Sequence, residues 1–261
     1  MRTTDMVDEL FRGPETELPA GVRLATAKRG GVTVTRVEIT REGLARPRGR
    51  YVTLEMPSVS VLDERDTDVI ETGAAELRAL LPPEGPVLVL GIGNRRVTAD
   101  ALGPRTAQKI LVTMGPQHTL PVRGIRPVAA LAPGVSGDTG LTLRQLAAAM
   151  VDAVRPAALI CVDSLCSAEA ARLGRTIQFS DTGLHPADAR HARHLDAAAL
   201  GVPVIAAGIP TLMDADEGAD LVLTPRALDS VIAHGSALLA GILNRALQPR
   251  LSVAQLCWLT G

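Results

Sequence analysis

Two aspartates follow apolar runs that are typical of buried β-strands. Asp163 comes directly after the run Ala157–Val162, and Asp100 lies a short distance after the run Val87–Leu90. In open α/β sheets, ligands bind at the edge where the carboxyl ends of the strands meet. Two neighbouring carboxyl groups do not readily both ionise, so one proton is shared and the pair offers an acid and a base. Such a pair suits the attack of water on a peptide carbonyl.

Simpler structural roles for both aspartates stay open at this point. Asp100 precedes a helical pattern, where a carboxylate often caps the helix N-terminus. Asp163 could cap a turn at Ser164. The sequence therefore predicts Asp100 and Asp163 as catalytic residues, with capping as the alternative.

A glycine-containing turn follows the strand at Val87–Leu90. Gly91, Gly93 and Asn94 are expected to shape the site, because glycine permits a tight turn and a close backbone approach. A dinucleotide-binding loop needs a third glycine, and Arg96 stands at that position. The segment therefore does not favour a nucleotide-binding fold.

A third polar segment begins at Ser180, after a predicted strand. Asp181 and Thr182 are typical turn residues, and His185 could act as a general acid–base group or a metal ligand, with Asp181 orienting it. A turn whose histidine is merely hydrogen-bonded is the alternative. A cluster of His185, Asp188, His191 and His194 could bind zinc or nickel, although its spacing matches no strong zinc signature.

Two further patterns narrow the class of enzyme. The segment 132–140 is glycine-rich and is predicted to be a loop that either lines the site or joins a strand to a helix. The chain contains no Gly-x-Ser-x-Gly elbow, which disfavours a serine hydrolase.

Composition limits the function classes. The chain has 261 residues, of which 46% are apolar, with 27 basic and 28 acidic side chains. This balance excludes the strong basic field of a dedicated nucleic-acid binder, and 2% aromatic residues disfavour a base-stacking surface. No secretory signal or membrane-spanning apolar run is visible, and the three cysteines are expected to be reduced thiols. We therefore expect a cytoplasmic protein that does not contact membranes or nucleic acid directly.

The elements that must position these residues alternate between strands and helices along most of the chain. Residues 1–20 are expected to form a flexible N-terminal arm, and residues 21–261 a single α/β domain that includes a small β meander at 22–57. The predicted strands are Val22–Ala27, Val32–Ile39, Tyr51–Met56, Val87–Leu90, Val128–Leu131, Ala157–Val162, Arg175–Ser180 and Val202–Gly208. The predicted helices are Asp63–Leu81, Ala101–Met114, Leu141–Val154 and Pro225–Leu247. This pattern indicates a mainly parallel sheet flanked by helices, with the meander as a separate lobe or an edge extension.

Several segments, in order along most of the chain, resemble the spore germination protease family. They include the start Arg2–Met6, the meander strands, the stretch Gly91–Pro104, and later runs around Arg126–Val135, Thr176–Pro186, Leu200–Ala206 and Pro210-Thr211. A series of this length is far more specific than any single motif.

This resemblance implies an endopeptidase that degrades the small acid-soluble proteins of dormant spores during germination. It implies a fold related to hydrogenase maturation proteases, catalysis by an atypical aspartic mechanism without a cofactor, and a cytoplasmic homo-oligomer. The family's two essential aspartates fall on Asp100 and Asp163. The resemblance also implies a zymogen that trims its own N-terminus, here between Asp5 and Met6.

Departures from the family pattern lie outside the two aspartates. The loop after Pro186 differs, Ala168 replaces an arginine, and an insertion before Leu223 is absent. Two alternatives therefore accompany the main hypothesis. One is a metal-dependent maturation-type protease of the same fold, with nickel or zinc held by Asp100, Asp163 and His185. The other is an inactive regulatory homologue.

Overall fold

The protein is described by a computed structural model that covers residues 4–11, 18–115, 124–185, 194–215 and 221–260. Within these residues, nine strands form one sheet. The strands are β1 (Val22–Arg29), β2 (Val32–Ile39), β3 (Gly49–Glu55), β4 (Val87–Gly91), β5 (Val128–Leu131), β6 (Ala158–Cys166), β7 (Thr176–Ser180), β8 (Val204–Asp214) and β9 (Val222–Leu223).

The sheet is mixed, with parallel strands on one side and antiparallel strands on the other. Its order is β1-β2-β3-β7-β8-β6-β4-β5, and the short β9 pairs with the end of β8. Strands β8, β6, β4 and β5 are parallel, whereas β1, β2, β3 and β7 pair antiparallel. The meander is thus an edge extension of the main sheet, joined to it through β7, and the α/β class with flanking helices is confirmed.

Helices cover both faces of this sheet. They are α1 (Val7–Leu10), α2 (Thr67–Leu80), α3 (Leu102–Ala107), α4 (Ser136–Thr139), α5 (Leu143–Val154), α6 (Ala197–Leu200), α7 (Leu228–Leu247) and α8 (Val253–Thr260). Alternate residues of β4 supply two cores: Val87 and Val89 pack with α2, α3 and α7, whereas Leu88 and Leu90 pack with α5 and α6. Helix α1 packs over the meander on the same face as α5.

Helix α7 is long and apolar enough to cross a membrane by length and composition. However, 72% of its most apolar 18-residue window is buried inside the protein. It packs against α2 and α3, and its residues Leu238, Leu239 and Ile242 belong to the larger core. This burial is typical of the core helix of a globular protein.

Several element boundaries differ from those predicted, and tertiary hydrogen bonds explain the largest difference. The helix predicted over 101–114 ends at Ala107. Beyond it, the Leu111 amide donates to the side chain of Asn244, and the amides of Thr113 and Met114 donate to the carbonyl of Val128. These partners replace the carbonyls that a continued helix would supply.

Two other predictions need correction. The glycine-rich segment 132–140 is not entirely a loop, because it contains the helical turn α4, which ends at Gly140 in the left-handed conformation that glycine permits. Helix α8 was not predicted at all. In addition, Asp163 does not end its strand, since β6 continues to Cys166 beside β8.

The N-terminal arm is not free in the part that the structure describes. Met6 and Val7 are buried, and Phe11 packs with Val37 and Ile39 of the meander. The polar side chains that suggested flexibility instead bind buried partners, chiefly Arg172 and Ser167.

Candidate active site

Asp100 is held by the turn that follows β4. It ends a short 3₁₀ turn, Thr98–Asp100, and its Oδ2 accepts a hydrogen bond from the amide of Asn94 at 2.7 Å. The side chain of Thr211 donates to the carbonyl of Ala99 at 2.9 Å, which fixes this turn against β8. Asp100 therefore organises its own loop, which is a role that the capping alternative did not describe.

Glycines are required where this loop approaches its neighbours. Gly93 has φ +123°, and a Cβ there would lie 2.0 Å from the carbonyl oxygen of Asp100. A Cβ on Gly91 would lie 2.1 Å from the carbonyl oxygen of Gly103. The two predicted site-shaping glycines thus allow the strand, the loop and α3 to pack closely around Asp100.

Asp163 lies on β6, on the face that α5 covers. It alternates with Leu159 and Cys161, which belong to the core under α5, and only 6% of its surface is exposed. Its Oδ1 accepts a hydrogen bond from the amide of Ser164 at 2.8 Å. Because β4 ends at Gly91, which pairs with Val162, Asp163 lies one residue beyond the end of the β4–β6 pairing.

Asp100 and Asp163 line one cavity of about 430 Å³. Thr182 and His185, from the turn after β7, line the same cavity, and so do residues of the N-terminal segment. The two aspartates, which lie far apart in the sequence, therefore share one solvent-accessible space.

The other predicted site residues do not all reach this cavity. Gly91, Gly93 and Asn94 do not line the cavity. They hold the Asp100 loop in place through close backbone packing and a backbone hydrogen bond. Asp181 instead binds Arg50, with its Oδ1 accepting from the amide and its Oδ2 accepting from Nε, both at 2.7 Å. Asp181 thus joins β7 to β3 and does not orient His185.

His185 is hydrogen-bonded on both ring nitrogens. Its Nε2 lies 2.9 Å from the carbonyl of Thr182, and its Nδ1 lies 3.2 Å from Nδ1 of His194. Burial lowers the pKa of His185, and the hydrogen bond to Thr182 acts in the opposite direction. His185 is therefore favoured in its neutral form at the rim of the cavity.

The proposed metal-ligand sets are not assembled in the described part of the chain. No group of three or more His, Cys, Asp or Glu side chains there is arranged to hold a metal ion, so Asp100, Asp163 and His185 do not form a ligand cluster. Asp188 and His191 lie outside the described residues, and only His185 and His194 of that cluster can be placed.

Three residues that were not predicted as site residues also line the cavity: Asp5, Arg46 and Gln178. Gln178 could have been noticed, because it alternates with the core residues Ile177 and Phe179 and so faces the side of the sheet that carries Asp163. The family resemblance pointed to Asp5 only as part of the expected trimming point, and no sequence pattern pointed to Arg46.

Other ionisable groups near the cavity are held neutral by burial. Burial raises the pKa of Tyr51 to about 12, and its hydroxyl donates to the carbonyl of Pro47 at 2.7 Å. Burial, together with the nearby charge of Asp5, raises the pKa of the Cys166 thiol to about 12. Cys161 is fully buried beneath Asp163, and burial raises its pKa well above the usual range. None of these groups is suited to act as an anionic nucleophile near neutral pH.

Comparison with known proteins gives a consistent result. A family model described as germination protease matches residues 4–217. The chain is 32% identical to a germination protease of Clostridium perfringens, over 84% of this chain and 86% of that protein. It is 40% identical to one of Caldanaerobacter subterraneus, over 79% of this chain and 67% of that protein. For one of Bacillus velezensis the identity is 38%, over 79% of this chain and 58% of that protein.

Among solved structures, the chain is similar to a [NiFe] hydrogenase maturation protease, HycI, from Thermococcus kodakarensis. The TM-score is 0.43 at 16% identity, and the match covers 66% of this chain and 98% of the other.

Proposed function

This chain belongs to the germination protease family, and we propose that it is an endopeptidase in which Asp100 and Asp163 together activate a water molecule. A protease activity follows from the family. The observation that supports the assignment of these residues is their position on the wall of one cavity, on two separate elements of the sheet edge.

The mechanism uses one carboxylate and one carboxylic acid. The carboxylate takes a proton from water as the water oxygen attacks the peptide carbonyl carbon. The acid donates a hydrogen bond to the carbonyl oxygen, which becomes negatively charged as the new C–O bond forms. When the C–N bond breaks, the amine leaves with a proton from the pair, and the pair returns to its singly protonated state.

The proposed substrates are the small acid-soluble proteins of spores, and the proposed location is the cytoplasm of the spore core. Both proposals rest on the family, as does the proposal of a homo-oligomer. The net charge of the chain is close to zero, which supports binding to the protein substrate itself and not to the nucleic acid.

We also propose that the same site trims the chain between Asp5 and Met6. Asp5 lines the cavity that contains both aspartates, which supports a cleavage site in this part of the segment. Intact-mass and N-terminal analysis of active protein tests this point. Active protein that still carries residues 1–5 would contradict it.

The decisive experiment compares three purified variants on a small acid-soluble spore protein. Asp100→Asn and Asp163→Asn should each lower the cleavage rate by about 10²–10⁴-fold, which is the usual contribution of a general acid or base. Both should keep the thermal unfolding temperature, because an amide retains the oxygen that accepts from Asn94 or Ser164. Asp138→Asn is the matched control, since Asp138 is exposed and the one side-chain partner described for it is the exposed Arg96.

Two alternatives predict other outcomes in the same assay. A metal-dependent protease would lose activity with a chelator and would contain stoichiometric nickel or zinc. A regulatory homologue would cleave no acid-soluble spore protein in any variant. Full activity of either catalytic-site variant would end the proposed mechanism.

A further inference from the structure

The N-terminal segment Thr4–Val7, which leads into α1 at Val7, lies along the cavity. Asp5 and Val7 line the cavity together with Asp100 and Asp163, and Met6 has the extended dihedral angles φ −78° and ψ 108°. Met6 and Val7 are 0% and 1% exposed. A protein often binds an extended peptide by treating it as one more strand.

Gln178 holds the backbone of this segment at two points. Its Nε2 donates to the carbonyl of Asp5 at 2.8 Å, and its Oε1 accepts from the amide of Val7 at 2.7 Å. One residue of a parallel strand binds its neighbour in the same way, through groups on either side of a central residue. The side-chain amide of Gln178 thus imitates a strand, and both of these hydrogen bonds are to backbone groups, which every peptide carries.

The opposite side of the segment is held by β6 and by Arg46. The amide of Asp5 donates to the carbonyl of Cys166 at 2.8 Å, and the amide of Cys166 donates to Oδ2 of Asp5 at 2.8 Å. Arg46 donates to the carbonyl of Thr4, and also to the carbonyl of His185 at 2.7 Å. Arg46 therefore connects the peptide to the turn at the cavity rim.

The sheet places Gln178 and Asp163 in one row. Gly208 of β8 pairs with Asp163 on one side and with Gln178 on the other. Paired residues point to the same face, and two strand spacings of about 4.8 Å separate the flanking Cα atoms by about 10 Å. Gly208 has no side chain, and the side chain of Leu165 packs into the position that a Cβ would take there. Asp5 and Val7, which Gln178 holds, line the same cavity as Asp100 and Asp163. A peptide held by Gln178 therefore lies within reach of the aspartates.

We propose that Gln178 positions the backbone of the protein substrate, in the place that Thr4–Val7 occupies in this structure. Arg46 and the backbone of Cys166 complete this peptide-binding subsite. The inference rests on the proposed function, since it assumes that a second peptide enters the cavity for cleavage. It goes beyond that function by naming the groups that bind the peptide.

The test is Gln178→Met, which keeps the length of the side chain and removes both hydrogen bonds. Loss of two neutral hydrogen bonds predicts a value of kcat/KM that is about 5- to 150-fold lower for an acid-soluble spore protein. The loss should appear mainly in KM, with an unchanged pH profile of kcat. Gln255→Met on α8 is the matched control, because Gln255 is exposed and binds only Ser252 in the described structure.

A binding measurement separates this inference from the proposed catalysis. A fluorescent peptide with the sequence of residues 2–9 is titrated into full-length Asp163→Asn protein, with and without Gln178→Met, and anisotropy is recorded. We expect affinity to fall at least 5-fold on loss of Gln178. Equal affinity in both proteins, or no binding by either, would overturn the inference even if cleavage occurs.

A second variant covers the case in which Gln178→Met does not fold. Arg46→Lys keeps the charge but cannot reach two carbonyls in the same fork geometry. This variant should also raise KM and weaken the binding of the fluorescent peptide, and it should keep the unfolding temperature of the parent protein. An unchanged KM and peptide affinity in this variant would remove Arg46 from the subsite and contradict the proposed arrangement.

Discussion

Replacing Arg172 with methionine should release the N-terminal segment from the cavity. Nη1 and Nη2 of Arg172 donate to Asp8 at 2.6 Å and 3.1 Å, and Nε lies 3.4 Å from Glu9. All three side chains are less than one-tenth exposed. Methionine fills much of the same volume but leaves two buried carboxylates without their cation.

The expected cost follows from that burial. Removal of one partner from a buried ion pair typically costs about 3–5 kcal/mol, because the remaining charge stays desolvated. The segment can avoid this cost by leaving the surface, which returns Asp8 and Glu9 to water. A tenfold change in an equilibrium constant corresponds to about 1.4 kcal/mol, so the docking equilibrium should fall by roughly 10²–10⁴-fold.

Two measurements follow the release. Hydrogen exchange of the amides of Met6 and Val7, which are buried in the parent protein, should accelerate by a similar factor. If the segment competes with peptides for the cavity, the affinity for an added peptide should rise by the same factor as the fraction of molecules in which the segment has left the cavity. Arg23→Met is the control, since Arg23 and Glu38 form an exposed pair that is worth at most about 1 kcal/mol.

The reasoning fails if Arg172→Met leaves exchange of the segment unchanged while the protein stays folded. It also fails if the whole protein unfolds cooperatively without prior release, because the segment would then be an integral part of the domain. Faster exchange with unchanged peptide affinity would keep the ion-pair argument and refute competition for the cavity.

Three further predictions concern single groups near the site. Gly93→Ala should lower the cleavage rate at least tenfold with the fold retained by circular dichroism, because the new Cβ would meet the carbonyl of Asp100 at 2.0 Å. Native Cys166, whose pKa is raised to about 12, should react with iodoacetamide at pH 8 about 10³-fold more slowly than an ordinary thiol, as judged by mass spectrometry. Burial raises the pKa of Tyr51 to about 12, so the free energy of unfolding should fall as the pH rises from 10 to 12. Urea titrations at a series of pH values should show a smaller fall for Tyr51→Phe, because the ionisation of Tyr51 no longer contributes.

Hydrophobic periodicity predicted the strands that are buried along their length. The alternating β2 and the apolar runs of β4 and β6 are present because each buries a face or both faces of the sheet. The positions of Asp100 and Asp163 after such runs were sufficient to suggest a shared site, since strand ends converge in any sheet of this class.

The remaining features depend on contacts that no local pattern encodes. The residues around Asp5 are polar and irregular, so they indicated a free arm, yet Gln178 and Arg172 bind them from more than 150 residues away. The early end of α3 depends on Asn244, which lies on a different helix. Such pairings become visible only when the sheet order is known.

The topology explains why the site lies where it does. Strand β7 joins the sheet antiparallel, between the parallel half and the meander, and its alternation turns Gln178 and Ser180 towards the face that carries Asp163. Strand β4 stops at Gly91 while β6 and β8 continue, so the longer strands extend beyond it beside the Asp100 loop. A peptide bound along that edge has backbone partners in β6, a side-chain amide on β7 and two carboxyl groups within the same cavity. The antiparallel pairing of β7 with β8 places Gln178 beside Gly208, in the row that contains Asp163, so the peptide-binding amide and the carboxylate lie on one face of the sheet.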